Sequence, residues 1–261
     1  MYDVELLESI AKSAGKVAMK HYRHVKPSWK KNRTYVTEAD LAVQDYLLTS
    51  LDKYFPDDGV IGEENDLSKE PKAGNRYWIV DPIDGTAAFT SGYPVWGIAI
   101  GLIENESPIG GCFYMPATGD LFITTPGGKV LRNGESTRIK KPERLHSESV
   151  LLVISRFHRE FTLDPQYPGK VRCLGSAIAH LCYAATGSAD AALAGPAAYL
   201  WDIAAALPML SANGGDWVYL NGENVNVKVL LTGKPMAYPM LAGHPDTITE
   251  YRKILHHRAC E

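Results

Sequence analysis

Residues 78–89 read Trp-Ile-Val-Asp-Pro-Ile-Asp-Gly-Thr-Ala-Ala-Phe, and this stretch decides the local fold and the chemistry it can support. The apolar run before Asp81 predicts a buried strand that ends at this aspartate. Pro82 and Gly85 are then expected to turn the chain, so that Asp84 lies close to Asp81. Two carboxylates on one tight turn repel each other unless a cation lies between them. Hard divalent cations such as magnesium prefer oxygen ligands of this kind.

The residues after Asp84 add a potential phosphate site. Gly85 and Thr86 offer backbone N–H groups, and Thr86 adds a hydroxyl, where a helix could begin. A helix N-terminus attracts phosphate because its first N–H groups have no partner within the helix. Ligands for a cation and for a phosphate therefore meet in one short segment.

Two other segments supply further carboxylates. Glu63 and Glu64 follow the apolar pair Val60-Ile61 at a predicted strand end. Asp202 lies at the start of an apolar segment, residues 201–212, that is predicted to be a helix. Taken alone, the glutamates could be solvated surface acids, and Asp202 could be an acidic residue favoured by the helix dipole.

Three motifs in this chain resemble those of the inositol monophosphatase family, whose members are magnesium-dependent, lithium-sensitive phosphatases. They are, in order, Gly62-Glu63-Glu64, Asp81-Pro82-Ile83-Asp84-Gly85-Thr86 and Trp201-Asp202. The resemblance extends over nearly the whole chain. It implies an α/β fold, a layered αβαβα sandwich with an α+β N-terminal half (residues 1–145) and an α/β C-terminal half (residues 146–261). The polar segment from Lys140 to Ser147 is the predicted boundary.

The resemblance also assigns roles to individual residues. It implies that two or three Mg²⁺ ions are bound by Glu63, Asp81, the backbone carbonyl of Ile83, Asp84 and Asp202. It implies a catalytic group of Asp40, Thr86 and Glu63, in which Asp40 and Thr86 act on the attacking water as a general-base relay. It further implies that the phosphate or the rest of the substrate contacts Gly85, Thr86, Ser176 and Asp202.

Asp40 has a second explanation that involves no catalysis. Thr37-Glu38-Ala39-Asp40 precedes a segment with apolar residues at helical spacing. This pattern is typical of a capping box, in which the acidic side chain bonds back to the backbone at the helix start. The residues alone support both explanations equally, and the resemblance favours the relay.

The implied reaction is hydrolysis of a small phosphate monoester by a metal-activated water, as in inositol-1-phosphate phosphatases. The chain departs from those enzymes at Thr34, where family members usually have an aspartate, and at Ala87-Ala88, where they usually have Thr-Asn. Residues 191–199 contain no acid, whereas inositol-specific members place a glutamate there. A 3′(2′),5′-bisphosphate nucleotidase and a fructose-1,6-bisphosphatase therefore stay open as alternatives.

Three further classes are alternatives. A haloacid-dehalogenase-type phosphatase needs two aspartates separated by one residue, whereas two residues separate Asp81 from Asp84. An EF-hand loop that begins at Asp81 would need oxygen ligands where the chain has Ile83 and Gly85. A regulatory protein that keeps the fold without catalysis is disfavoured by the intact set of acids.

Composition and net charge limit the kinds of binding partner that this chain is expected to have. The chain has 261 residues, 45% of them hydrophobic, which is enough for a full core. A net charge of −3 gives no general attraction to nucleic acid or to anionic membranes. No signal peptide and no apolar run of membrane-spanning length is apparent, and the four cysteines lack metal-ligand or redox spacing. We expect a cytoplasmic protein that acts on a small phosphorylated metabolite, and the resemblance implies a homodimer.

Hydrophobic periodicity predicts the order of the remaining elements. A polar, basic loop is expected over residues 27–35. The predicted helices cover residues 3–23, the segment after Thr37, and residues 175–186, 201–212 and 246–256. The predicted strands cover residues 77–81, 96–103, 110–114, 120–125, 149–154, 189–193, 216–220 and 238–243.

Overall fold

Helices and sheets alternate in the five layers of an αβαβα sandwich in the computed structural model, which describes residues 2–29, 35–64, 68–141 and 144–258. Helices α1 (Val4–Met19) and α2 (Glu38–Tyr54) cover one face of an eight-stranded sheet. Helices α5 (Ala177–Ala185) and α6 (Leu207–Ala212) separate this sheet from a five-stranded sheet, whose outer face carries α8 (Pro245–Ile254). The expected α/β sandwich is therefore confirmed.

The eight-stranded sheet comes from the first part of the chain. Its strands are β3 (Gly59–Gly62), β4 (Ser68–Lys69), β5 (Arg76–Asp84), β6 (Gly97–Glu104), β7 (Ser107–Met115), β8 (Asp120–Thr124), β9 (Val130–Arg132) and β10 (Glu135–Ser136). Their spatial order is β10-β9-β8-β7-β6-β5-β3-β4, and among the described residues β3 and β5 form the one parallel pair of this sheet. Because β3 and β5 run parallel, Gly62 lies opposite Val80, and the residues after Gly62 approach those after Val80.

The five-stranded sheet comes from the second part. Its strands, in spatial order, are β13 (Lys170–Arg172), β11 (Val150–Leu152), β14 (Ala191–Ala194), β16 (Met240–Gly243) and β15 (Asp216–Tyr219). Strand β11 is parallel to both of its neighbours, whereas β16 is antiparallel to both of its own. The smaller elements are β1 (Ser28–Trp29), β2 (Tyr35–Val36), β12 (Phe161–Leu163), β17 (Leu255–His257), α3 (Thr86–Thr90), α4 (Phe157–Glu160) and α7 (Val227–Leu231).

One hydrophobic cluster contains buried residues from both predicted halves. It includes Ile79 and Phe113 from the eight-stranded sheet, Ile178 and Leu207 from the middle helices, and Ala242 from the five-stranded sheet. The two halves therefore share a core. Their boundary between residues 145 and 146 stays a prediction, and residues 142 and 143 of the predicted boundary segment lie outside the described residues.

The predicted strands and most predicted helices are confirmed, with two corrections. The helix predicted over residues 201–212 is wrong in its first half, where a 3-10 turn covers Leu200–Asp202 and α6 begins only at Leu207. Pro208 explains this start, because proline is accommodated in the first turn of a helix but breaks the hydrogen-bond ladder further inside. The loop predicted over residues 27–35 contains β1 and β2, which pair with each other, and its residues 30–34 lie outside the described residues.

Within the described ranges, no helix combines the length and apolar character needed to cross a bilayer. Cys112, Cys173 and Cys182 are free thiols, and Cys260 lies outside the described residues.

Candidate active site

Strand β5 carries both aspartates of the central motif, and it does not end at Asp81 as the sequence predicts. It continues to Asp84 through an irregularity, since Asp81 pairs with Ala99 of β6 but Asp84 pairs with Gly97. Residues three apart point to opposite faces of a regular strand. One extra residue in the bulge reverses this alternation and brings both aspartates to one side. Pro82, which cannot donate to the ladder, lies in the bulge.

Asp81 lies at the centre of a group of acids from three segments. It is only 2% exposed, and its Oδ1 accepts a hydrogen bond from the N–H of Ile83 at 3.0 Å. Burial raises the pKa of Asp81 well above its usual range, and the nearby charges of Glu63, Asp84 and Asp202 raise it further. A hydrogen bond with Glu63 acts in the same direction. The structure therefore brings together the four carboxylates that the three motifs predict.

Asp84 connects the central motif to the N-terminus of α5. Its carboxylate accepts hydrogen bonds from the hydroxyl of Ser176, from the N–H of Ala177 at 3.2 Å and from the N–H of Ile178 at 3.0 Å. Burial raises the pKa of Asp84 to about 6, although these three hydrogen bonds act to lower it. Asp84 therefore connects the two parts of the chain, and it is also a predicted metal ligand.

Both explanations of Asp40 agree with the geometry. Its Oδ2 accepts from the N–H of Thr37 at 2.7 Å and from the Thr37 hydroxyl at 2.6 Å, which completes the capping box of α2. Its Oδ1 lies 3.3 Å from the hydroxyl of Thr86, which can donate there or to the carbonyl of Ile83 at 3.1 Å. Asp40 is fully buried, so one carboxylate both caps the helix and contacts Thr86.

Asp202 is held by its own 3-10 turn. Its Oδ2 accepts a hydrogen bond from the N–H of Tyr199 at 2.6 Å. The ring of Tyr199 stacks on that of Trp201, with 4.6 Å between the ring centroids and 7° between the planes. A flat aromatic pair therefore accompanies Asp202.

The backbone beside Glu63 is fixed by a glutamine of α2. The side-chain amide of Gln44 donates to the carbonyl of Glu64 at 2.9 Å, and its oxygen accepts from the N–H of Glu64, also at 2.9 Å. The N–H of Glu63 donates to the carbonyl of Val80 at 3.3 Å. These contacts place Glu63 next to Val80, the residue before Asp81.

Two glycines allow the central motif to approach the loop before α5. Gly85 has a φ of 86° and Gly175 has a φ of 102°, a region that side chains with a Cβ disfavour. A Cβ on Gly85 would lie 3.0 Å from the carbonyl oxygen of Gly175. The predicted helix start after Gly85 is confirmed, because α3 begins at Thr86.

The donor set has the chemistry of a site for a hard cation, since it consists of carboxylate and carbonyl oxygens. Its side chains are turned towards internal donors, however: Asp81 towards Ile83, Asp84 towards α5 and Asp202 towards Tyr199. No three His, Cys, Asp or Glu side chains in the described part of the chain are arranged so that they could hold a metal ion as they stand. A bound cation would therefore replace some of these internal hydrogen bonds.

Sequence reasoning missed what the residues around α5 contribute. Ser176 is predicted to contact substrate, yet it is fully buried, donates to Asp84 and caps α5 by accepting from the N–H of Ala179 at 3.0 Å. Its substrate contact stays a prediction. A serine before an apolar helical run is a recognisable N-cap signal.

Nothing in the sequence indicates that Asp84 lies at that helix end, or that His180 and Gln44 support the site backbone. Thr34, one of the departures from the family pattern, lies outside the described residues.

In a chelator, the protein should lose stability as the pH rises above about 4 and through about 6. In the folded protein the pKa values of Asp81 and Asp84 are raised, that of Asp84 to about 6, so the folded state binds more protons than the unfolded state. Their contribution is fully present below the unfolded pKa of about 4 and is lost as the pH rises through the folded values. Thermal melts across this range should show a smaller decline for Asp81→Asn, and equal declines would contradict the assignment.

Comparisons with known proteins agree with the geometry. A profile described as "Inositol monophosphatase family" matches residues 3–256. A histidinol-phosphatase of Chlorobaculum parvum is 31% identical over 228 residues, covering 82% of this chain and 84% of that protein. A fructose-1,6-bisphosphatase/inositol-1-monophosphatase of Aquifex aeolicus is 29% identical over 241 residues, covering 88% and 90%. The crystal structure of the extragenic suppressor protein suhB from Bartonella henselae superposes with a TM-score of 0.81 at 22% identity, covering 95% and 96%, which shows the shared fold alone.

Proposed function

This chain belongs to the inositol monophosphatase family, and from that premise we propose that it is a magnesium-dependent phosphatase of a small phosphate monoester. The observation that carries the proposal is the convergence of Glu63, Asp84 and Asp202 on the buried Asp81. Asp81 and Asp84 are buried and Glu63 and Asp202 are half-buried, so their negative charges raise the cost of ionising Asp81. A bound divalent cation would remove this repulsion, and the resemblance of the three motifs to those of this magnesium-dependent family supports such a cation here.

We propose the following roles for the residues of the site. Glu63, Asp81, the carbonyl of Ile83, Asp84 and Asp202 would hold two or three Mg²⁺ ions. When bound, such ions make water a better nucleophile and neutralise charge on the phosphoryl group. Glu63 would also belong to the catalytic group. Gly85 and Thr86 would contact the phosphate, and Ser176 and Asp202 would contact the substrate.

Thr86 and Asp40 would handle the proton of the attacking water. The Thr86 hydroxyl lies 3.3 Å from Asp40 Oδ1, so it can pass a proton to that carboxylate while its own oxygen accepts one from water. The carbonyl of Ile83 at 3.1 Å offers the same hydroxyl a second acceptor. If the Ile83 carbonyl holds a cation, the Thr86 hydroxyl has Asp40 as its remaining acceptor.

The substrate of this site is a separate question. Inositol 1-phosphate is our first candidate, with 3′(2′),5′-bisphosphate nucleotides and fructose 1,6-bisphosphate as alternatives. Histidinol phosphate joins them because one relative is named a histidinol-phosphatase. A regulatory protein that keeps the fold is the non-enzymatic alternative. The homodimer and the cytoplasmic location stay predictions.

The direct test is a phosphate-release assay with all four esters and with glycerol 2-phosphate, a small ester without a ring. We expect release to require magnesium, to stop in excess chelator and to be inhibited by lithium at millimolar concentrations, as in the family. Full turnover in excess chelator would contradict the metal-dependent mechanism. Lack of turnover of every ester with magnesium present would favour the regulatory alternative.

A further inference from the structure

The turn before α5 holds Asp84 in its present orientation. Ser176 donates to the carboxylate of Asp84 through its hydroxyl, and the next two backbone N–H groups, those of Ala177 and Ile178, donate to the same carboxylate. Gly175 has a φ of 102° and lies against Gly85, so the turn approaches the central motif closely. The position of this turn therefore sets the direction of the Asp84 side chain.

His180 supports this turn from within α5. Its Nε2 accepts a hydrogen bond from the N–H of Leu174 at 2.9 Å, which ties the residue before Gly175 to the body of the helix. Because Nε2 accepts, the proton of the neutral ring is on Nδ1. The imidazole is 3% exposed, and burial lowers its pKa to about 4, so it stays neutral at physiological pH.

The other nitrogen of this ring makes the arrangement unusual. His180 Nδ1 is buried and makes no hydrogen bond to any described residue. A buried N–H without a partner lowers stability, and an apolar side chain at this position would avoid that cost. The imidazole compensates for this cost because its Nε2 accepts the hydrogen bond from the Leu174 N–H.

We propose that His180 is a positioning residue that sets the affinity of the site for divalent cations by way of the Leu174 N–H, the Gly175-Ser176 turn and Asp84. This inference rests on the proposed function, in which Asp84 is a metal ligand. His180 touches neither the cation nor the substrate. Partners that orient a metal ligand typically change metal affinity or activity by about 10- to 100-fold when they are removed.

The test compares two kinds of variant in the full chain. His180→Phe removes the acceptor and keeps a ring, whereas His180→Gln keeps an acceptor oxygen at the end of a side chain of similar reach. Thermal melts in chelator and across a MgCl₂ titration are fitted to the mass-action relation, which gives the apparent Kd, that is, the half-saturating magnesium concentration of the folded protein. We expect this concentration to rise about tenfold in His180→Phe and to stay within about threefold of the wild type in His180→Gln.

His244→Phe is the matched control. His244 also accepts a backbone N–H, that of Asp246 at 3.2 Å, but it does so at the start of α8. Its loss should lower the melting temperature without changing the half-saturating magnesium concentration. Should His180→Phe fail to fold, the smaller His180→Leu makes the same comparison.

Different results of these melts contradict the role of His180 and the proposed metal site on which that role rests. If either apolar variant of His180 is less stable in chelator but keeps the wild-type half-saturating concentration, His180 is only structural and the inference is wrong. If magnesium does not stabilise the wild type at all, the proposed metal site is wrong, and the inference falls with it. As a second readout, kcat at limiting magnesium should fall in His180→Phe and recover at high magnesium, while the KM for the ester changes little.

Discussion

Asp81→Asn is expected to abolish the stabilisation by magnesium while leaving the metal-free protein at least as stable as the wild type. Asp81 is fully buried among acids whose charges raise its pKa, so in the absence of a cation its own charge is unfavourable. Asparagine removes that charge. Its amide oxygen can still accept from the N–H of Ile83, which lies 3.0 Å from Asp81 Oδ1, and its NH₂ group can donate to Glu63.

Magnesium should act on the wild type by mass action. A ligand that binds only the folded state stabilises it by ~2.7 kcal/mol at a hundredfold excess over Kd. For a chain of this size that corresponds to a rise of about 5–10 °C in the melting temperature. Asp81→Asn should show little of this rise, and phosphate release should fall with it.

Asp45→Asn is the control for this experiment. Thermal melts of the wild type, Asp81→Asn and Asp45→Asn are recorded in chelator and across a magnesium titration. Asp45 is an exposed acid on α2, and its replacement should leave both the metal-free melt and the magnesium response unchanged. A full magnesium-induced rise in Asp81→Asn would show that Asp81 is not a ligand.

Asp84 is less suited to this experiment, although the same motif carries it. Its carboxylate accepts from Ser176, Ala177 and Ile178 at once. An asparagine offers only one acceptor oxygen, and its NH₂ group would face donors. Loss of these bonds would destabilise the metal-free protein and obscure the relief of charge repulsion.

The sequence predicted the site well where the signal is local. The capping box of α2, the buried strand before Asp81 and the helix start at Thr86 are all confirmed by the structure. Each depends on residues within a few positions of one another, so propensity and spacing suffice to predict it. The convergence of the three acidic motifs, by contrast, was predicted only from the resemblance to the family.

The features that the sequence did not predict depend on contacts between distant segments. The bulge in β5 requires knowledge of the β6 register, which no spacing within residues 78–89 contains. The contact of Asp84 with α5 joins residues more than 90 positions apart, and the acceptor role of His180 depends on which way the preceding turn folds back. Pro208 indicates a break before α6, but the continuous apolar run around it favours an uninterrupted helix, which is what the sequence predicted.

Thr86→Ala should lower kcat by about 100-fold or more and leave the KM for the ester nearly unchanged. The hydroxyl of Thr86 is proposed to orient and deprotonate water, an interaction that strengthens towards the transition state. Asp40→Asn should cause a related loss, because the Thr86 hydroxyl would then face an amide instead of a carboxylate at 3.3 Å. A Thr86→Ala variant with unchanged kcat would exclude Thr86 from the mechanism.

The double variant decides whether Asp40 acts through Thr86 or only as a helix cap. If the two residues form one relay, removal of both should cost little more than removal of one, so the losses in kcat should be far from additive. Thr37→Ala provides the control for capping, since it removes the hydroxyl that bonds to Asp40 Oδ2 and leaves the Thr86 contact in place. It should lower stability by about 1 kcal/mol with little effect on kcat. Additive losses in the Asp40–Thr86 cycle, together with a loss of kcat in Thr37→Ala that equals the loss in Asp40→Asn, would mean that Asp40 serves only to start α2.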